Sequence, residues 1–158
     1  MPLHIDEISS EEILYILENP WKITENEWAL HLQSSPKSTL KDIQHQLILA
    51  KKEGYSKIWK TENNNPIAIL GCLKKDVDRF ETFFIASKHM EEHALKLSFD
   101  MREILSEQSK IFKGGTCFLY SVSDHPKQIN WFRFLGFTYI PDGNLGDKRY
   151  FEYVSSSK

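Results

Sequence analysis

No apolar run in this chain approaches the roughly 20 residues needed to cross a bilayer, and the N-terminus, MPLHIDEISS, is acidic and polar rather than a secretory signal. Basic excess is lacking too. Twenty Lys and Arg face 22 Asp and Glu, for a formal charge of -2. Nothing in that balance suggests an electrostatic grip on DNA or RNA, and no nucleic-acid partner is expected. Cysteine is nearly absent: Cys72 and Cys117 both fall in apolar, strand-like stretches. The simpler reading is two buried free thiols in a reducing compartment, and a disulfide would require the two strands to be adjacent. There is no internal repeat, low-complexity segment or linker. With 41% hydrophobic and 27% charged residues over 158 positions, a single soluble globular domain spanning residues 1–158 is expected, in the cytoplasm.

What is present is a clear alternation of periods. SSEEILYILENP reads as a helix: Ser9 and Glu12 have capping-box spacing, and Pro20 ends the run. WKITENEWALHLQSSPKS is polar with two tryptophans and predicts a short helix and a loop. TLKDIQHQLILAKKEGY is the second clear helix, with Leu40, Ile43, Leu47 and Ala50 as one apolar stripe and Gly54 as its stop. KIWKT, IAILGCL and FETFFIA follow as strands, separated by the turns ENNNP and DVDR. FETFFIA is nearly continuously apolar, which suits a strand covered on both faces. Met90, Ala94, Leu97, Met101 and Ile104 alternate at spacings of four and three, predicting a long helix to about Gln108. Then come the strand TCFLYSV, a short helix from Pro126 to Gly136, and two strands, FTYI and RYFEYV, around PDGNLGDK. The order implies an α/β fold around a mixed central sheet flanked by helices. The link from FETFFIA through the long helix to TCFLYSV has the length of a parallel crossover.

Within SKHMEEHALKL, His89, Glu92 and His93 spell H-x-x-E-H, a zinc-peptidase string. A metal site needs a third ligand and a base placed for water attack, and no partner motif follows. The plainer reading is a helix start: Ser87 caps, Glu91 and Glu92 complement the dipole, and the histidines lie on the polar side. No metal is expected.

The element order, with DHPKQINWFRFLGF, resembles the GNAT superfamily of N-acetyltransferases. Pro126, Leu135, Gly136 and Phe137 match the family's late motif, a short helix closing on Leu-Gly-Phe. The W-x-x-x-LGF ending, Trp131 to Phe137, followed by an aromatic last strand, is similar to a divergent phage-associated branch. The resemblance spans Thr39 to Val154 in element order, with its sharp sequence support in Asp124 to Phe137.

That resemblance implies two splayed parallel strands with acetyl-CoA between them. The pantetheine arm would pair with the backbone of Phe80 to Ala86, notably Phe84, Ile85 and Ala86. The pyrophosphate would meet the N-terminus of the long helix, where unsatisfied donors and the positive dipole end attract anions. The family's Gln/Arg-x-x-Gly-x-Gly/Ala maps onto His89, Glu92 and Ala94, and only Ala94 matches. No glycine lies between Ser87 and Leu97, and Glu91 and Glu92 stand in the first turns. A carboxylate some 4–6 Å from a phosphate costs on the order of a few kcal/mol at an effective dielectric near 20. Lys88, and His89 when protonated, would offset part of it. His125 and Asn130 complete the implied cofactor contacts. Phe132 stands where the family has a proton-donating tyrosine, which makes Tyr120 the nearest phenol. Glu81 is the candidate base, its plainer role being a solvated strand-end carboxylate, and Tyr120's a packed aromatic.

Three functions follow. The first is acyl transfer from acyl-CoA to a small-molecule or protein amine. The second is a catalytically degenerate GNAT-fold binding or phage-derived structural protein. The third is a zinc hydrolase. Acceptor choice would reside in PWKITENEWALHLQSSPKS and PDGNLGDKR. A homodimer would form by pairing on the edge of the last strand.

Overall fold

A computed structural model describes residues 6–28, 30, 36–111, 115–122 and 126–153. Helix α1 (Ser10–Glu18) opens with a reciprocal cap: the Ser9 hydroxyl accepts from Glu12 N–H at 3.1 Å, and the Glu12 carboxylate accepts from Ser9 N–H at 2.8 Å. Helix α2 (Lys22–Glu27) follows, then α3 (Pro36–Glu53), three residues longer at its start than Thr39 suggested. Strands β1 (Gly54–Lys60), β2 (Pro66–Asp76) and β3 (Arg79–Ala86) form an antiparallel meander. Gly54 is not merely a helix stop but the first residue of β1. A Cβ there would lie 1.8 Å from the Cys72 carbonyl oxygen, so only glycine lets α3 turn straight into the sheet.

The long helix α4 (Met90–Ile111) crosses over to β4 (Thr116–Ser121), which pairs in parallel with β3 as the spacing implied. Helix α5 (Pro126–Leu135) leads into β5 (Phe137–Tyr139), a single 3-10 turn at Pro141–Gly143, and β6 (Arg149–Tyr153). Gly136 explains the Leu-Gly-Phe string physically. Its φ is 113°, and its N–H closes α5 onto the Phe132 and Arg133 carbonyls.

The sheet order is β1-β2-β3-β4-β6-β5. Period-2 alternation sends Phe83 and Ile85 of β3 into one core with Ile13, Ile16, Ile43 and Ala50 of α1 and α3. Phe80 and Ala86 enter the other core, with Met90, Leu97 and Met101 of α4 and Phe132 and Leu135 of α5. FETFFIA is thus covered on both faces, as its apolar continuity implied. One expectation is corrected. The last strand, β6, is no edge: it lies between β4 and β5, so its backbone is engaged on both sides. Cys72 and Cys117 are buried and free, as the simpler reading had it; their strands are not neighbours, β3 lying between them, although the two thiols hydrogen-bond to each other. Among the described residues, no helix is long and apolar enough to cross a membrane.

Candidate active site

The parallel pairing of β3 and β4 is short. Arg79, Phe80 and Glu81 face Thr116, Cys117 and Phe118, and no register continues beyond them, although β3 runs on to Ala86 and β4 to Ser121. The two strands therefore part at their carboxyl ends. The gap opens into a cavity of about 500 Å³. Asp42, His45 and Gln46 of α3 line it on one face of the sheet, and Gln128, Trp131 and Phe132 of α5 line it on the other. It reaches from face to face between the strands, a shape that allows two reactants to meet from opposite sides.

Helix α2 lies across this gap and bonds to both walls. On β3, Trp21 N–H donates to the Ala86 carbonyl at 2.9 Å. The Ala86 N–H donates to the Thr24 hydroxyl at 2.9 Å, and the Trp28 indole N–H to the Phe84 carbonyl at 3.0 Å. On β4, the Glu27 carboxylate accepts from the Ser121 hydroxyl at 2.5 Å and from Val122 N–H at 2.8 Å. Burial pushes the Glu27 carboxyl above its usual value, and the bonds from Ser121 and Val122 pull part of that rise back.

Of the residues singled out from the sequence, Glu81, Phe84, Tyr120, Trp131 and Phe132 line the cavity. Glu81 is half-buried and ion-paired with Lys75 at 3.6 Å, so it is not a simple solvated strand-end carboxylate. The Tyr120 ring packs against Phe118 and Tyr150, with centroids 5.7 and 5.3 Å away. Ile85 turns its side chain into the α1–α3 core and pairs through β2 with Ile69. Lys88 is exposed, and its N–H donates to the Asn19 carbonyl. Ala94 packs on the α4–α5 core, its carbonyl accepting from Ser98. Asn130 is exposed on α5 and is not among the cavity's lining residues. His125 lies outside the described residues.

The H-x-x-E-H string is also resolved. Helix α4 begins at Met90, so His89 sits in the turn before it rather than in its first turn. His89 is half-buried instead of lying on the polar side: its ring lies edge to edge with that of Tyr15 and nearly coplanar with it, and Nε2 hydrogen-bonds the Tyr15 hydroxyl at 2.7 Å. Among the described residues, no group of three or more His, Cys, Asp or Glu side chains could hold a metal ion.

The fit of an acyl-CoA to these atoms is partial. Four successive amides at the start of α4 are committed within the chain. Ser87 N–H goes to the Ile67 carbonyl, Lys88 to Asn19, Met90 to the Ser87 carbonyl, and His89 to the Ser87 hydroxyl at 3.3 Å. On β3, the Phe84 carbonyl and both main-chain groups of Ala86 are taken by α2 and the two tryptophans that flank it. A pantetheine arm along that edge does not fit while α2 is seated there.

Sequence reasoning missed Thr24, Glu27 and Trp28. Their segment, WKITENEW, shows only a polar stretch with two tryptophans. No local pattern marks a carboxylate that meets its partner 95 residues away.

Comparison with known proteins places this architecture. No family model and no curated protein matches the sequence. Solved structures do match. A GNAT-family acetyltransferase from Staphylococcus aureus superposes with a TM-score of 0.68 at 15% identity, covering 96% of each chain. The chain has the fold of the GNAT acetyltransferases. The PaiA N-acetyltransferase of Thermoplasma acidophilum, solved in complex with coenzyme A, matches with a TM-score of 0.57 at 14% identity over 97% of this chain and 99% of that one. A spermidine N-acetyltransferase from Vibrio cholerae gives 0.57 at 10% identity over 93% and 92%.

Proposed function

We propose that this chain is a GNAT-type acyltransferase that moves an acetyl or other acyl group from acyl-CoA to an amine. One observation carries the reading: β3 and β4 pair over three residues and then part around a cavity open to both faces of the sheet. Coenzyme A in a solved structure of the same fold supports the choice of donor. Glu81 and Glu27 are the carboxylates at hand to take a proton from an amine, and Tyr120 the phenol at hand to give one. Asp42 and Glu81 on the α3 side give that mouth acidic groups suited to a protonated amine, with Trp28 and Leu49 as apolar wall. A small-molecule or protein amine is the proposed acceptor, and the cytoplasm the proposed location.

The test is calorimetry with acetyl-CoA and CoA, followed by a thiol-release assay with a panel of primary amines. Binding and turnover are expected. No heat at millimolar ligand overturns the proposal.

The bonds of α2 to β3 and the carboxylates of Glu91 and Glu92 at the start of α4 favour a second reading, a catalytically degenerate GNAT-fold protein, either a binding module or a phage-derived structural component. Turnover with any defined amine dismisses it. A homodimer built by strand pairing would use β1 or β5, the outer strands of the sheet.

A further inference from the structure

We infer that α2 is a built-in occupant of the acyl-donor slot, and that acyl-CoA and α2 compete for the same edge of β3. The inference rests on the acyl-CoA reading above and adds a regulatory step to it.

A strand edge freed by splaying presents unpaired N–H and C=O groups, and burial of such groups without partners is costly. On β3 those groups include the Phe84 carbonyl and the N–H and carbonyl of Ala86. All three are satisfied by α2 and the residues flanking it, through the Trp28 indole, the Thr24 hydroxyl and Trp21 N–H, at 2.9 to 3.0 Å. The opposite wall is held by Glu27 against Ser121 and Val122. Residues 21–28 thereby bridge the gap with three bonds to β3 and two to Ser121 and Val122 at the end of β4, while Ile23, Glu27 and Trp28 line the cavity that remains.

These contacts are specific in a way that simple packing is not. Thr24 is 2% exposed, and its oxygen accepts a main-chain N–H. The Trp28 N–H is aimed at a main-chain carbonyl 56 residues away. Each partner thus performs what an extended amide-bearing arm would perform on the same edge, donating to carbonyls and accepting from an amide. Two occupants of one set of donors and acceptors exclude one another. Acyl-CoA would therefore bind only to molecules in which α2 has left β3, and its apparent affinity would be lowered by the fraction still closed.

Two conservative variants weaken the strap without touching the donor's own contacts. Trp28→Phe keeps a ring and removes the N–H. Thr24→Val keeps the shape and removes the acceptor. Acetyl-CoA is titrated into the wild type and each variant, and deuterium uptake of the peptide covering residues 21–28 is followed with and without saturating acetyl-CoA. Loss of one such bond should tighten acetyl-CoA binding by roughly 3- to 10-fold. In the wild type, residues 21–28 should exchange faster when ligand is bound. Equal affinities in all three proteins, with unchanged exchange over 21–28, overturn the strap while leaving acyl-CoA binding in place. Absence of binding in the wild type and both variants overturns the strap together with the acyl-CoA reading.

Discussion

The Glu27 carboxylate accepts a 2.8 Å hydrogen bond from the Val122 N–H, joining the end of α2 to the end of β4 across the open side of the sheet. Burial raises this carboxyl above the usual glutamate value of 4.5. A raised carboxyl keeps its proton in the folded state at pH values where the unfolded chain has lost it. The folded protein then binds more protons, and stability falls as pH rises from the unfolded value through the folded one. Glu27→Gln removes this titration. The difference in melting temperature, variant minus wild type, should increase across the pH window just above 4.5 and then level off. Asp42, His45, Lys75, Glu81, Tyr120 and Lys148, which share the cavity, are present in both proteins and largely cancel in the difference. A difference independent of pH from 4 to 8 would show that Glu27 is not held in a proton-favouring site.

Local regularity was legible in the sequence, and long-range juxtaposition was not. The stripe Met90, Ala94, Leu97, Met101 and Ile104 fixed α4 because helical period is a property of neighbouring residues, and all but the half-buried Ala94 are fully buried. Ser9 and Glu12 announced the start of α1 for the same reason. The parting of β3 and β4 was reachable only through resemblance, since nothing in FETFFIA or TCFLYSV says where pairing ceases. The place of β6 was misjudged because a three-residue strand, β5, comes to lie outside it, and sheet order is not written in strand pattern. Glu27 escaped notice because its meaning depends on Ser121, 94 residues on.

The junction of α3 and β1 offers a sharp test of packing. Gly54 follows the helix with no linker, and its α-carbon faces the Cys72 carbonyl across the β1–β2 ladder. The obstructing atom is backbone, so no side chain can swing aside. Gly54→Ala should cost about 3 kcal/mol, at the upper end for a forced methyl in a packed site. Urea denaturation reads it directly. A loss below about 1 kcal/mol would mean that the strand shifts freely, contrary to the register Gly54–Leu73.

Tyr55 is the reverse case. It is 1% exposed, and its hydroxyl has no hydrogen-bond partner among the described residues. Burial pushes its phenol well up, so it stays neutral, and the ring does the packing beside Cys72 and Cys117. An unsatisfied buried hydroxyl costs about 1–3 kcal/mol, so Tyr55→Phe should raise stability by up to that amount. A melting temperature several degrees higher is the expected result. A decrease would reveal a partner for the hydroxyl in solution.

Tyr120 separates chemistry from packing. Its ring is held by Phe118 and Tyr150, while the residue lines the cavity between β3 and β4. Tyr120→Phe leaves the aromatic stack in place and removes only the hydroxyl group. A phenol that protonates a departing thiolate contributes about 100- to 10,000-fold, so kcat should fall by a factor in that range. The dissociation constant for acetyl-CoA and the urea midpoint should stay as they are, because neither depends on the hydroxyl's proton. Activity with the best amine from the panel, measured by thiol release, decides between the two roles. Unchanged kcat with unchanged stability would make Tyr120 an aromatic spacer and leave the thiolate to be protonated by water, while lost stability alongside lost activity would assign the hydroxyl to the fold.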